Sequence, residues 1–211
     1  MTRLLFVRHG QTVHNSLGQI STLPPGGPLS ALGIEQAAAL AAALADRPVA
    51  AVYCSPLPRA AHTARILAEP HALPVHERPE LTEVSAGDLD GRSDEEAYTV
   101  LNRALDAWCL GDLDARIGTT GESGRDMVDR LRGLVTGLAA AHPGQTLLLV
   151  GHGGLLQTGI PWLCANLTPR FGLHRLVANT AVIEVEAAAG TVECLSWDGE
   201  PTGRGTRTPG P

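Results

Sequence analysis

Leu4-Leu5-Phe6-Val7-Arg8-His9-Gly10-Gln11-Thr12 carries four apolar residues directly into an Arg-His-Gly triplet. A short apolar run reads as a buried strand, and a polar triplet just past its end stands where open α/β sheets bind ligands. Arg8 offers a forked cation to an anion, His9 a nucleophilic imidazole, and Gly10 a backbone free to turn tightly against a ligand. Together they point to phosphoryl chemistry.

The same unit recurs far down the chain, where Thr146 to Val150 runs into Gly151-His152-Gly153-Gly154. Between the two, Asn15 to Pro28 reads as a Gly/Pro-rich loop, and Ser30 caps a helix from about Ala31 to Ala45. Val49 to Cys54 reads as a second buried strand. Ser55 is the expected N-cap of the next helix, with Pro56 at its first position and Arg59 therefore near its start. Ser93-Asp94-Glu95-Glu96 reads as a capping box opening a helix to about Leu110, and Ser123 with Asp126 caps another that ends near His142. A helix is expected from Leu155 to about Ala165, with Pro161 kinking or shortening it. Two late strands, Ala181 to Val185 and Val192 to Trp197, pair through a turn at Gly190. This alternation predicts an α/β fold, a three-layer sandwich with a mostly parallel central sheet flanked by helices.

Composition narrows the function. The formal charge of −6 argues against a nucleic-acid surface, so an anionic ligand must be held by a local cluster. All 16 basic residues are Arg. That excludes Schiff-base, phosphate-loop and Ser-Lys chemistry, and points to a GC-rich bacterial genome. Cys54, Cys109, Cys164 and Cys194 show no C-x-x-C spacing, and the remaining histidines show no ligand spacing, so no metal or other cofactor is expected. No apolar run is long enough for a membrane span or a signal peptide, and a cytoplasmic protein is expected.

Three expected strand ends carry Arg8 and His9, Arg59, and His152; in a parallel sheet such ends converge on one rim, around one phosphate. The N-terminus of the helix after Gly154 is expected to add backbone N–H groups to that phosphate.

These residues, with Asn15, Ser55-Pro56-Leu57-x-Arg59-Ala60-x-x-Thr63-Ala64, Leu81-x-Glu83, Gly121-Glu122-Ser123 and Asn179-Thr180, resemble the histidine phosphatase superfamily, the phosphoglycerate-mutase-like enzymes, in its phosphatase branch. The resemblance implies a metal-independent phosphomonoesterase acting on a small phosphorylated metabolite. His9 would form a phosphohistidine, with Arg8, Arg59 and His152 holding the phosphoryl oxygens. Asn15, Gln11 and Gly153 would contact phosphate or substrate, and Glu83 would protonate the leaving oxygen and then activate water. The catalytic domain would span residues 1–197 with a lid at about 87–121, followed by a disordered tail at 198–211; a homodimer stays open. Asp88-Leu89-Asp90 departs from the family pattern by filling a stretch where an aromatic residue is common, which makes Asp88 an alternative acid. The short lid contains no Lys, which favours hydrolysis over mutase-type phosphoryl return, the runner-up. A noncatalytic phosphoester-binding module is the other alternative.

Overall fold

The computed structural model describes residues 1–188 and 190–203. Seven strands form one sheet in the order β3-β2-β4-β1-β5-β6-β7, comprising β1 (Thr2–Arg8), β2 (Val49–Cys54), β3 (Val75–Glu77), β4 (Thr146–Gly151), β5 (Val182–Ala188), β6 (Thr191–Trp197) and β7 (Glu200–Pro201). Pairings β1·β4, β4·β2 and β2·β3 are parallel, whereas β1·β5, β5·β6 and β6·β7 are antiparallel. The expected parallel sheet is therefore one half of the molecule, with β1 at the seam.

Alternation along the strands feeds two cores. On one face Leu4, Phe6, Leu147 and Leu149 pack under Trp108 of α4 (Glu95–Leu110), Met127 and Leu131 of α5 (Gly124–Ala141), and Leu155 and Ile160 of α6 (Gly153–Leu163). On the other, Val7, Val52, Leu148 and Val150 meet Ala41 of α2 (Ala31–Leu44) and Ala60, Ala64 and Leu67 of α3 (Pro58–Ala68). The period-2 pattern of each strand makes this division, and the sandwich has three layers. α1 (Val13–Ser16) is a single turn inside the stretch expected to be loop.

Several boundaries differ from the sequence reading. α3 starts at Pro58, with Leu57 as N-cap at φ −65° and ψ 132°. Pro58 crowds the residue before it out of the helical region, so Ser55 and Pro56 stay outside the helix. Asp94, not Ser93, caps α4; its carboxylate accepts from the Ala97 N–H and also pairs with Arg92. α6 starts two residues earlier than expected and ends at Leu163. Ser30 and Ser123 cap as expected. The tail expected from Asp198 onward instead turns at Asp198-Gly199, both at positive φ, and returns as β7. Asp-Gly in the left-handed region is the signature of a tight hairpin. Residues 204–211, with Arg204 and Arg207, lie outside the described residues. Among the described residues no helix is long and apolar enough to cross a membrane.

Candidate active site

Because β1, β2 and β4 are parallel, their C-terminal ends share one rim. Arg8 is in register with Gly151 and Cys54 with Val150, so the residues that follow, His9, Ser55 and His152, emerge together. The rings of His9 and His152 lie 5.1 Å apart at 63°.

His9 is fixed from both sides. Its Nδ1–H donates to the Gly10 carbonyl at 2.7 Å, which leaves Nε2 as the lone pair, and Arg59 Nε donates to that atom at 3.1 Å. The Gly10 N–H in turn donates to Thr63 Oγ1 (3.1 Å), whose hydroxyl donates to the Arg59 carbonyl (2.8 Å). A Cβ at Gly10 would sit 2.3 Å from the Gly33 carbonyl oxygen, so this loop packs directly on the backbone of α2. Burial, then Arg59 and Arg8, hold the His9 imidazole well below its ordinary pKa, and His9 is neutral at physiological pH.

Around Nε2 stand donors that the chain itself does not satisfy. Arg8 Nη1 donates to the Val177 carbonyl (2.6 Å) and Arg59 Nη2 to the Ser21 carbonyl (2.9 Å). Ser55 Oγ accepts the Leu57 N–H at 3.2 Å and lies 2.8 Å from His152 Nε2. With the Ser55 hydroxyl as the donor of that bond, the His152 proton is on Nδ1. Arg8 Nε, Arg59 Nη1 and His152 Nδ1 are all buried with no partner among the described residues. Buried donors are rarely left unpaired, and three of them beside a neutral nucleophile make a cradle for a multi-oxygen anion. Burial, opposed by Glu83, lowers both guanidinium pKa values from their ordinary range, which leaves the groups charged.

Glu83 faces this cradle from the segment after β3. Its Oε1 accepts the N–H groups of Val84 (2.9 Å) and Leu155 (2.8 Å), and its Oε2 that of Gly154 (3.0 Å). The first turn of α6 was expected to bind the phosphate; it holds the carboxylate instead, since an acidic side chain satisfies the same dipole and N–H groups. A half-buried Glu122–Arg130 pair (2.7 Å) steadies the segment, because Glu122 also accepts the Ser85 N–H and Arg130 donates to the Glu80 carbonyl.

A cavity of about 180 Å³ above His9 is lined by Arg8, Asn15, Arg59 and Glu83, with Tyr98 and Leu101 of α4 over it. A larger apolar cavity of about 350 Å³, lined by Val135, Ala139 and Val192 at the other end of the sheet, has no titratable side chain.

Arg8, His9, Arg59, Glu83 and His152 thus come together as expected from the sequence, and Asn15 lines the same cavity. Three other residues singled out from the sequence have local partners of a different kind. Gln11 turns away: its side chain accepts from Ser30 Oγ (2.9 Å) and its backbone N–H binds Gln36, so it fastens α2. Gly153 makes room for Arg8, whose Nε would lie 3.1 Å from a Cβ there. Asp88 ties down Thr119 and Thr120 at 2.9 and 3.1 Å, and their backbone N–H groups pull its carboxyl to about 2, which leaves it ionised and no proton donor at neutral pH. Ser55, expected as a helix cap, is the residue that orients His152. Tyr98 and Leu101 were missed; their spacing of three on α4 was the available signal.

Two buried neutral imidazoles make folding sensitive to protons. Burial, then Arg59, keeps the His152 pKa well below 6.5, as burial and the arginines do for His9. Below pH 6.5 the unfolded chain protonates both rings while the folded chain does not. Stability should therefore fall from pH 7.5 to 5.5, approaching a slope of about 1.4 kcal/mol per pH unit for each ring. Urea midpoints across that range check this, and a flat profile would contradict neutral burial.

Among the described residues no three His, Cys, Asp or Glu side chains cluster as metal ligands would. The chain is 37% identical over 155 residues to the adenosylcobalamin/α-ribazole phosphatase of Salmonella typhimurium, covering 74% of this chain and 76% of that protein. It is 35% identical over 160 residues to a metal-independent phosphoserine phosphatase of Arabidopsis thaliana, covering 74% and 66%. The structure of mycobacterial glucosyl-3-phosphoglycerate phosphatase superposes with a TM-score of 0.80 at 29% identity, over 93% of this chain and 98% of that one. The family model of the histidine phosphatase superfamily, branch 1, matches residues 4–199, and the chain belongs to that superfamily.

Proposed function

We propose that this protein hydrolyses the phosphomonoester of a small metabolite through a phosphohistidine on His9. The observation that carries this reading is the set of unpaired donors, Arg8 Nε, Arg59 Nη1 and His152 Nδ1, around the neutral His9. In the first step Nε2 attacks phosphorus as the bond to the ester oxygen breaks, and Arg59 exchanges its bond to Nε2 for a phosphoryl oxygen. The three donors meet the charge that spreads over the transferring group. The ester enters as its monoanion and passes its proton to the Glu83 carboxylate, which gives it to the departing oxygen. In the second step Glu83 takes a proton from water, the water oxygen bonds to phosphorus, and the N–P bond breaks; that proton leaves with the phosphate, returning the site to its starting state.

Phosphatase relatives acting on α-ribazole phosphate, phosphoserine and glucosyl-3-phosphoglycerate make these three esters the panel to assay first. Hydrolysis is favoured over mutase-type return because, among the described residues, the only arginines lining the cavity are Arg8 and Arg59, and both face the first phosphate. Activity on p-nitrophenyl phosphate should persist in excess chelator, and vanadate should inhibit by occupying the donor cradle. Complete loss in chelator, restored by a divalent metal, would overturn the phosphohistidine scheme.

A further inference from the structure

The phosphate cavity shares Ile20 and Ser21 with an adjacent second one of about 240 Å³ that no catalytic role employs. Its walls combine His14, Gln19 and Asp90 with Leu23, Pro24 and Pro25. That mixture suits a ring carrying hydroxyl groups, and the volume is below the range typical of drug-sized ligands, so it suits one ring. No arginine lines it. Arg92, which follows the lining residue Gly91, is committed to Asp94 at 2.8 Å and to Glu96 at 3.3 Å.

Asp90 sets the charge of this space. Its Oδ1 accepts the Thr22 N–H, the Thr22 hydroxyl (2.9 Å) and the Leu23 N–H (3.1 Å), while Oδ2 makes no hydrogen bond among the described residues. A bound phosphoryl dianion uses the two guanidinium charges of Arg8 and Arg59. The Arg59 guanidinium, which bonds the carbonyl of the lining residue Ser21, is then shared with the phosphate, so the Asp90 charge is left in excess beside the leaving group and a second anion there meets net repulsion.

We propose that Asp90 makes the enzyme selective for phosphate esters whose leaving group is an uncharged or cationic ring, and against those bearing a carboxylate. This rests on the phosphatase reading. The test compares kcat/KM for 4-carbamoylphenyl and 4-carboxyphenyl phosphate, which differ by one charge on the same ring, with phenyl phosphate as reference. The wild type should favour the amide on the order of fivefold at low salt, and the preference should shrink toward the intrinsic reactivity ratio at 1 M salt. Asp90→Asn keeps an acceptor for Thr22 and Leu23 and should reduce the same preference. Equal wild-type values, or a preference that Asp90→Asn leaves unchanged, would overturn the proposal. Should Asp90→Asn not fold, Asp90→Ser, which also keeps an acceptor, replaces it and is read in the same way. Failure to hydrolyse phenyl phosphate at all would instead count against the phosphatase reading.

Discussion

His9→Ala is expected to lose turnover by a factor on the order of 10⁵ or more, the scale seen when a covalent nucleophile is removed. Nε2 is the lone pair aimed into the cradle, and His152 does not replace it, because its Nε2 is engaged by Ser55. The fold should survive. The His9 side chain bonds only Gly10 and Arg59, and a ring-sized space among polar groups admits water. Labelled substrate, quenched during turnover, should leave an acid-labile phosphoryl group on the wild type at His9 and none on the variant. A label on another residue, or a variant of comparable activity, would refute the nucleophile assignment.

Glu83→Gln should divide substrates by their leaving groups. An acidic phenol departs with little help, whereas an alkyl ester must leave as a strongly basic alkoxide unless it is protonated. General acid catalysis is typically worth about 10² to 10⁴ in rate, so phosphohistidine formation from the alkyl ester should slow by that order, and far less from p-nitrophenyl phosphate. Gln keeps an acceptor for the Val84 and Leu155 N–H groups, which limits disturbance of the segment. Single-turnover rates are needed, because the same carboxylate serves the shared second step. Equal slowing of both esters would make Glu83 a positioning residue only.

The chemistry-bearing residues were legible because each follows an apolar run, and a parallel sheet gathers such ends whatever separates them in sequence. Direction was not legible. Gln11 is two residues from His9 and would share its face if the strand continued, but β1 ends at Arg8 and Gln11 instead bonds Ser30 and Gln36 at α2. Gly153 acts through the side chain it lacks, which depends on where Arg8 arrives from β1. The turn before α3 held two prolines, and only the constraint that Pro58 puts on Leu57 selects between Ser55 as a cap and Ser55 as the partner of His152. The contest between substrate and Glu83 for the N-terminus of α6 was equally hidden, because it is settled by a loop 70 residues upstream.

The place of β1 at the seam of the sheet also orders events in time. Its two neighbours are β4, at Thr146–Gly151, and β5, at Val182–Ala188. During synthesis the strand that presents His9 leaves the ribosome long before β4 and β5 and finds no sheet partner until β4 follows. Until then Leu4, Leu5, Phe6 and Val7, all buried in the finished protein, stay exposed. The nucleophile is thus made well before the strands that fix it in place, and no fragment that stops short of β4 contains the site.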